Sequence, residues 1–112
     1  GVFTFPSTGI WRIEFTGFWG VGSSSSANAL HSRIQTTTNN SSYSSAHEQI
    51  NSIKSDSTYT YQGFYNTYIF DVTDTSTHKV RFTLFTSANH AYYKANNSPT
   101  MTGALFTRLG NT

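Results

Sequence analysis

Residues 9–20 read Gly9-Ile10-Trp11-Arg12-Ile13-Glu14-Phe15-Thr16-Gly17-Phe18-Trp19-Gly20, and this stretch decides the fold class. Trp11, Ile13, Phe15, Gly17 and Trp19 fall on odd positions, and Arg12, Glu14, Thr16 and Phe18 on even ones. Side chains of a strand point alternately to opposite faces, so period-two alternation predicts a strand with one apolar face. Pro6-Ser7-Thr8-Gly9 ahead of it is a turn signal, and Val2-Phe3-Thr4-Phe5 reads as a preceding strand.

The same alternation continues downstream. Leu30, Ser32 and Ile34 alternate with His31, Arg33 and Gln35. An aromatic run from Tyr59 reaches Val72, with Tyr68, Phe70 and Val72 on one parity and Ile69 and Asp71 on the other. Val80, Phe82 and Leu84 alternate with Arg81, Thr83 and Phe85 after a turn within Asp71–His78. In the last strand Met101, Gly103 and Leu105 are assigned to the core face, and Thr102, Ala104 and Phe106 to the other. Thr36–Ser45 is expected as a long loop or weak edge strand. Ala46–Lys54 is read as a strand, although Ile50 and Ile53 allow a helical turn. Ser87–Pro99 is read as a short strand followed by a loop. No repeat of 20–50 residues is present.

The 112 residues make one expected domain, residues 1–112, large enough for a core of its own. Serine, threonine and asparagine supply 43 of them, and aromatic residues 16%. Disordered chains lack such aromatic content, and Thr, Tyr and Phe favour strands. Many short strands in one domain imply an antiparallel sandwich or barrel.

Several function classes are disfavoured at once. There is no cysteine, so disulfides, thiolate chemistry and Cys-ligated metals are excluded. Charged residues are only 11%, with no run of one sign, which argues against nucleic-acid binding. No stretch reaches 18 apolar residues, so no membrane insertion is expected. His31, His47, His78 and His90 lack ligand spacing, and Asp71 and Asp74 are the one close acidic pair, so neither metal nor cofactor is expected. No serine sits in a nucleophile elbow, and no carboxylate pair suits glycoside hydrolysis, so an enzyme is not expected. Asn39, Asn40 and Asn96 open Asn-x-Ser sequons, frequent by chance in this composition.

The first fifteen residues, Gly1-Val-Phe-Thr-Phe-Pro-Ser-Thr-Gly-Ile-Trp-Arg-Ile-Glu-Phe15, resemble the strand–turn–strand hallmark of C1q globular domains. Ser98-Pro-Thr-Met-Thr-Gly-Ala-Leu-Phe106 is similar to the family's closing strand. Tyr68-Ile-Phe-Asp-Val72 and Lys79-Val-Arg-Phe-Thr-Leu84 are similar to the pair that precedes it. The turn between that pair departs from the family, since Thr75-Ser-Thr-His78 stands where Gly-Asp is usual. Met101 replaces an aromatic residue, and a strand usual upstream of residue 1 is missing.

The resemblance implies an all-β, antiparallel jelly-roll sandwich of the C1q/TNF-like type, with about 8–10 strands, assembled as a homotrimer that binds rather than catalyses. It also implies that residues 10–19, 80–86 and 101–108 share the sheet facing the three-fold axis. Phe18, Phe85 and Phe106 lie opposite the assigned core parity, and with Ala104 they are the expected trimer interface. Asn89, His90, Tyr92, Tyr93, Lys94 and Asn96 are the expected ligand-binding segment, because Tyr and Asn suit adaptable recognition. A charge-poor, hydroxyl-rich domain of this kind suits the tip of a viral fibre, on a virion or outside a cell. Its partner there would be a surface glycan or protein receptor, and the chain the C-terminal part of a longer one. A trimerisation or capsid-decoration module, and a secreted C1q-like ligand or lectin, stay open beside it.

Overall fold

The computed structural model describes residues 1–54, 56–87, 91–94 and 101–112. Every helix or strand among them is a strand: β1 (Val2–Thr4), β2 (Gly9–Val21), β3 (Ala27–Thr37), β4 (Ser44–Ile53), β5 (Thr60–Val72), β6 (Lys79–Phe85), β7 (Ala91–Lys94) and β8 (Gly103–Gly110). They form two antiparallel sheets. The first runs β1-β6-β3-β4. In the second, β5 lies on one side of β2 along its whole length. On the other side of β2, β8 pairs with Ile10–Thr16 and β7 with Phe18–Val21.

The odd positions of β2 are inward, as its alternation predicts. Trp11, Ile13, Phe15, Trp19 and Val21 are buried, and meet Phe64, Phe70 and Val72 of β5. Leu30 and Ile34 of β3, Ile53 of β4 and Val80 of β6 close the same cluster from the first sheet. Two sheets that each bury one face against the other make a β-sandwich. Pro6–Thr8 is not a hairpin turn. It carries the chain from one sheet to the other, with Trp11 Nε1 donating to Ser7 O at 3.2 Å. Gly9 closes this passage at φ +144°, where an added Cβ would lie 2.5 Å from Gly110 O.

Three sequence expectations are corrected and one agrees. Thr36–Ser45 is a tight link between paired strands, with Thr36 and Thr37 buried in β3. Asn39 Oδ1 shapes the turn by accepting from Ser41 N at 3.0 Å and Ser42 N at 2.8 Å. The reading of Ala46–Lys54 as a strand agrees with β4, since residues 46–53 are strand throughout. Residues 80–85 belong to the first sheet, because β6 pairs with β3 and β1, not with β2. Lastly, β8 has the opposite parity to that expected. Phe106 pairs with the fully buried Ile13, so it faces inward against Phe3, Phe5 and Phe82. Leu105 pairs with Glu14 and is 58% exposed.

Candidate assembly face and aromatic cleft

The corrected registers separate the expected interface residues. Phe18 lies on the outer face of the second sheet, 45% exposed. Phe85 lies on the outer face of the first sheet, beside His31, with ring centroids 5.8 Å apart. Phe106 faces inward as a partly buried ring packed against the core. Ala104 pairs with Phe15, on the inward parity, yet is exposed at the sheet's edge. No single face therefore carries all three phenylalanines.

The outer face of the second sheet nonetheless carries exposed apolar side chains along its whole length. Directly paired residues share a face, so its rows can be read from the registers. Ile69 stands beside Arg12 and Thr107, and Thr67 beside Glu14 and Leu105. Tyr65 stands beside Thr16 and Gly103, Gly63 beside Phe18, and Tyr61 beside Gly20 and Tyr92. Ile69, Leu105, Tyr65, Phe18 and Tyr61 are all exposed. The outer face of the first sheet is mixed: its central rows hold Thr83, Arg33 and Glu48, then Arg81, Gln35 and Ser45, with the exposed Val2 beside Arg81 and the exposed Phe85 and Ile50 beside His31.

One polar cluster interrupts the apolar face. Glu14 accepts from Tyr65 Oη at 2.8 Å and lies 3.3 Å from Arg12 Nε. At one end of the face glycine makes room for rings. A Cβ on Gly20 would meet the Tyr92 ring at 2.9 Å and the Tyr61 ring at 3.0 Å. The hydrogen bond that the Tyr92 hydroxyl donates to Tyr61, then desolvation, raise the Tyr92 pKa above its ordinary value of 10.0.

Charge concentrates on the other sheet. Glu48 bridges Arg33 and His31, the latter at 3.2 Å. The bond from Arg33, then that from His31, lowers the Glu48 pKa below its ordinary 4.5 against a desolvation that raises it. No three His, Asp or Glu side chains converge into a metal site among the described residues.

Of the expected ligand-binding segment, Asn89, His90 and Asn96 lie outside the described residues. Tyr92, Tyr93 and Lys94 are on β7, a strand paired with β2 rather than a loop. Tyr92 and Tyr93 point to opposite faces. Tyr93 pairs with Trp19, so it takes the inward parity, yet is 53% exposed. The reason is the short reach of β1, which covers β6 only over Lys79–Arg81. Beyond that point Leu84, Phe85 and Thr86 border an open cleft of about 400 Å³, with Trp19, Tyr92 and Tyr93 across it. The sequence reading missed this cleft because residues 84–86 and 91–93 meet only through the pairing of both segments around β2 and β3. Comparison with known proteins yields no matching family model, no matching curated relative and no matching solved structure.

Proposed function

We propose that this chain is a non-enzymatic attachment domain, a C1q/TNF-like jelly roll that assembles as a homotrimer through the outer face of its second sheet. The observation that carries the proposal is the apolar outer face itself: Phe18, Tyr61, Tyr65, Ile69 and Leu105 on a sheet whose inner face is already committed to the core. Isolated apolar residues are normal on a surface, but a contiguous patch marks an interaction site. Burying one such ring is worth roughly 1.5–3 kcal/mol, and each subunit supplies several.

The strand order supports the jelly-roll reading. The links β1 to β2, β2 to β3, β4 to β5, β5 to β6 and β6 to β7 all pass between sheets, the winding that such a roll requires. The resemblance of residues 1–15 and 98–106 to C1q domains supports three-fold assembly. The low charge and high hydroxyl content support a place at the tip of a viral fibre, on a virion or otherwise outside cells. Three weak sites carried on one axis act together, and gain avidity without new contacts.

The attachment reading is tested by adsorption. The assembled protein, labelled and added to a panel of candidate host cells, is expected to bind at least one of them saturably. Absence of saturable adsorption to every cell type, with the trimer intact, refutes attachment and leaves a structural module.

A further inference from the structure

We infer that Arg81, on the outer face of the first sheet, is the anion-binding group of a site for an acidic glycan, one that bears a carboxylate or a sulfate ester. This rests on the attachment reading and names the ligand class that the domain would hold. The Arg81 side chain is held from two directions. Its Nε donates to Gln35 Oε1 at 2.8 Å, and its guanidinium carbon lies 4.2 Å from the centroid of the Tyr43 ring. A guanidinium stacked on an aromatic ring presents its N–H donors as a fixed planar fork, the shape that matches an oxyanion. Both terminal nitrogens of Arg81 have no hydrogen-bond partner among the described residues.

The surroundings add positive charge and leave it unneutralised. Lys79 is two residues away on the same face of β6, and Arg33 is the diagonal neighbour of Arg81 on β3. Residues so placed have backbones about 7–8 Å apart, within reach of long side chains. Glu48, the carboxylate of the adjoining row, is already taken by Arg33 and His31. Asp74, in the turn that leads into β6, accepts from Ser76 N at 2.8 Å. Lys79 Nζ donates to a carbonyl, Thr75 O, at 2.9 Å. Neither Arg81 nor Lys79 has an ion pair among the described residues, and all five acidic residues of the chain are among these.

The row that contains Arg81 then selects a saccharide. Val2, 55% exposed, flanks Arg81 on one side, and Gln35 and Ser45 follow on the other. Ser45 is exposed, and its Oγ accepts from Gln35 Nε2 at 3.4 Å, so its own proton is free for a ligand oxygen. An inorganic anion would use the fork alone. A neutral sugar would leave the fork unpaired. An acidic sugar places its oxyanion on Arg81, a hydroxyl on Ser45 and an apolar C–H face on Val2. This face lies across the sandwich from the proposed assembly contact, so three copies stay open to a cell surface and their weak affinities combine.

The probes are sialyllactose, a sulfated N-acetyllactosamine and neutral lactose, each titrated into the assembled protein and followed by ¹H–¹⁵N chemical shifts. At least one acidic probe is expected to bind, more weakly as salt is raised, and lactose is not. Arg81→Gln should weaken that probe roughly tenfold at unchanged oligomeric mass. Lys54→Gln removes the same charge from an exposed position beyond β4, and should leave binding unchanged. Tyr43→Ala should weaken the probe roughly two- to fivefold and Tyr43→Phe should not, since the ring holds the guanidinium. Equal losses in Arg81→Gln and Lys54→Gln overturn the site in favour of diffuse attraction to net charge. Lactose bound as tightly as the acidic probes overturns it as well. If Arg81→Gln loses its β-type circular dichroism spectrum, Arg81→Lys takes its place: it keeps the charge without the fork, and undiminished binding by it overturns the inference. Failure of both acidic probes also overturns the inference, whereas attachment is judged by cell adsorption alone.

Discussion

Asn66 is the residue on which the two sheets are pinned. It is fully buried on β5, and donates through Nδ2 to the fully buried Ser32 Oγ of β3 at 2.8 Å. Its Oδ1 lies 2.8 Å from His47 Nδ1 of β4, so that ring nitrogen carries the proton of the contact. A buried amide with both ends paired ties one register of β5 to one register of β3 and β4. Asn66→Ala removes both bonds, leaves Ser32 Oγ only its long bond to Gln49 O at 3.5 Å, and should cost about 1–3 kcal/mol in urea unfolding.

The parity of β8 makes a second prediction at this scale. Phe106→Ala removes a partly buried ring packed against the core, and should cost about 2 kcal/mol. Leu105→Ala should change the stability of the isolated subunit by less than about 0.5 kcal/mol. Equal losses for the two would contradict the register. The sequence could not decide between them, because Leu105 and Phe106 are adjacent and give each parity an apolar residue. Only the partner strand settles which one is inward, and a one-residue slip exchanges the faces completely.

Among the elements, β2 was the most legible, since it is central in its sheet and strongly two-faced. Its neighbours on both sides let its pattern be read without knowing them. β4 was the least legible. It is an edge strand with Ile50 exposed and Ile53 buried, so its alternation is blurred. The sheet that β6 belongs to was misread for a related reason. Val80, Phe82 and Leu84 announce a strand with a core face, but every strand of a sandwich has one. Alternation carries no information on which sheet a strand joins.

β3 and β4 are also joined by charge, and this gives a pH dependence. The bonds from Arg33 and His31 depress the Glu48 pKa in the folded state. A depressed carboxylate stabilises the fold above its unfolded value, near the ordinary 4.5, and loses that contribution as pH falls through the lowered folded value. Urea midpoints measured from about pH 6 down to about pH 3 should fall less steeply in Glu48→Gln than in the unaltered protein. Because the pair is exposed, the difference should be modest and should shrink further in high salt. An identical slope for both proteins would remove Glu48 from the account of acid stability.

As a whole molecule the chain is a slab of 50 × 29 × 18 Å, with a radius of gyration of 15.8 Å. A compact domain of this length would have about 13 Å. A slab exposes broad faces, and here the Arg33–Glu48 pair, His31 and Arg81 share one outer face with Val2, Ile50 and Phe85, while the other carries Phe18, Tyr61, Tyr65, Ile69 and Leu105 around the Arg12–Glu14 pair. The second of these faces was legible only in part. Phe18 was identified correctly as outward-facing, whereas Tyr61, Tyr65, Ile69 and Leu105 became its neighbours only through the registers of β5 and β8. The Arg12–Glu14–Tyr65 cluster sits within the apolar face and would lose its water on assembly. Glu14→Leu should therefore leave the subunit folded and allow association in more than one register, seen as a broadened mass distribution.

The central claim, that the outer face of the second sheet is the trimer contact, is tested most directly by sedimentation equilibrium of the unaltered protein and of Phe18→Asp. The unaltered protein should give three times the 12.5 kDa chain mass, and the variant a folded single chain with an unchanged β-type circular dichroism spectrum. A monomeric unaltered protein, or a variant that remains trimeric, would contradict it.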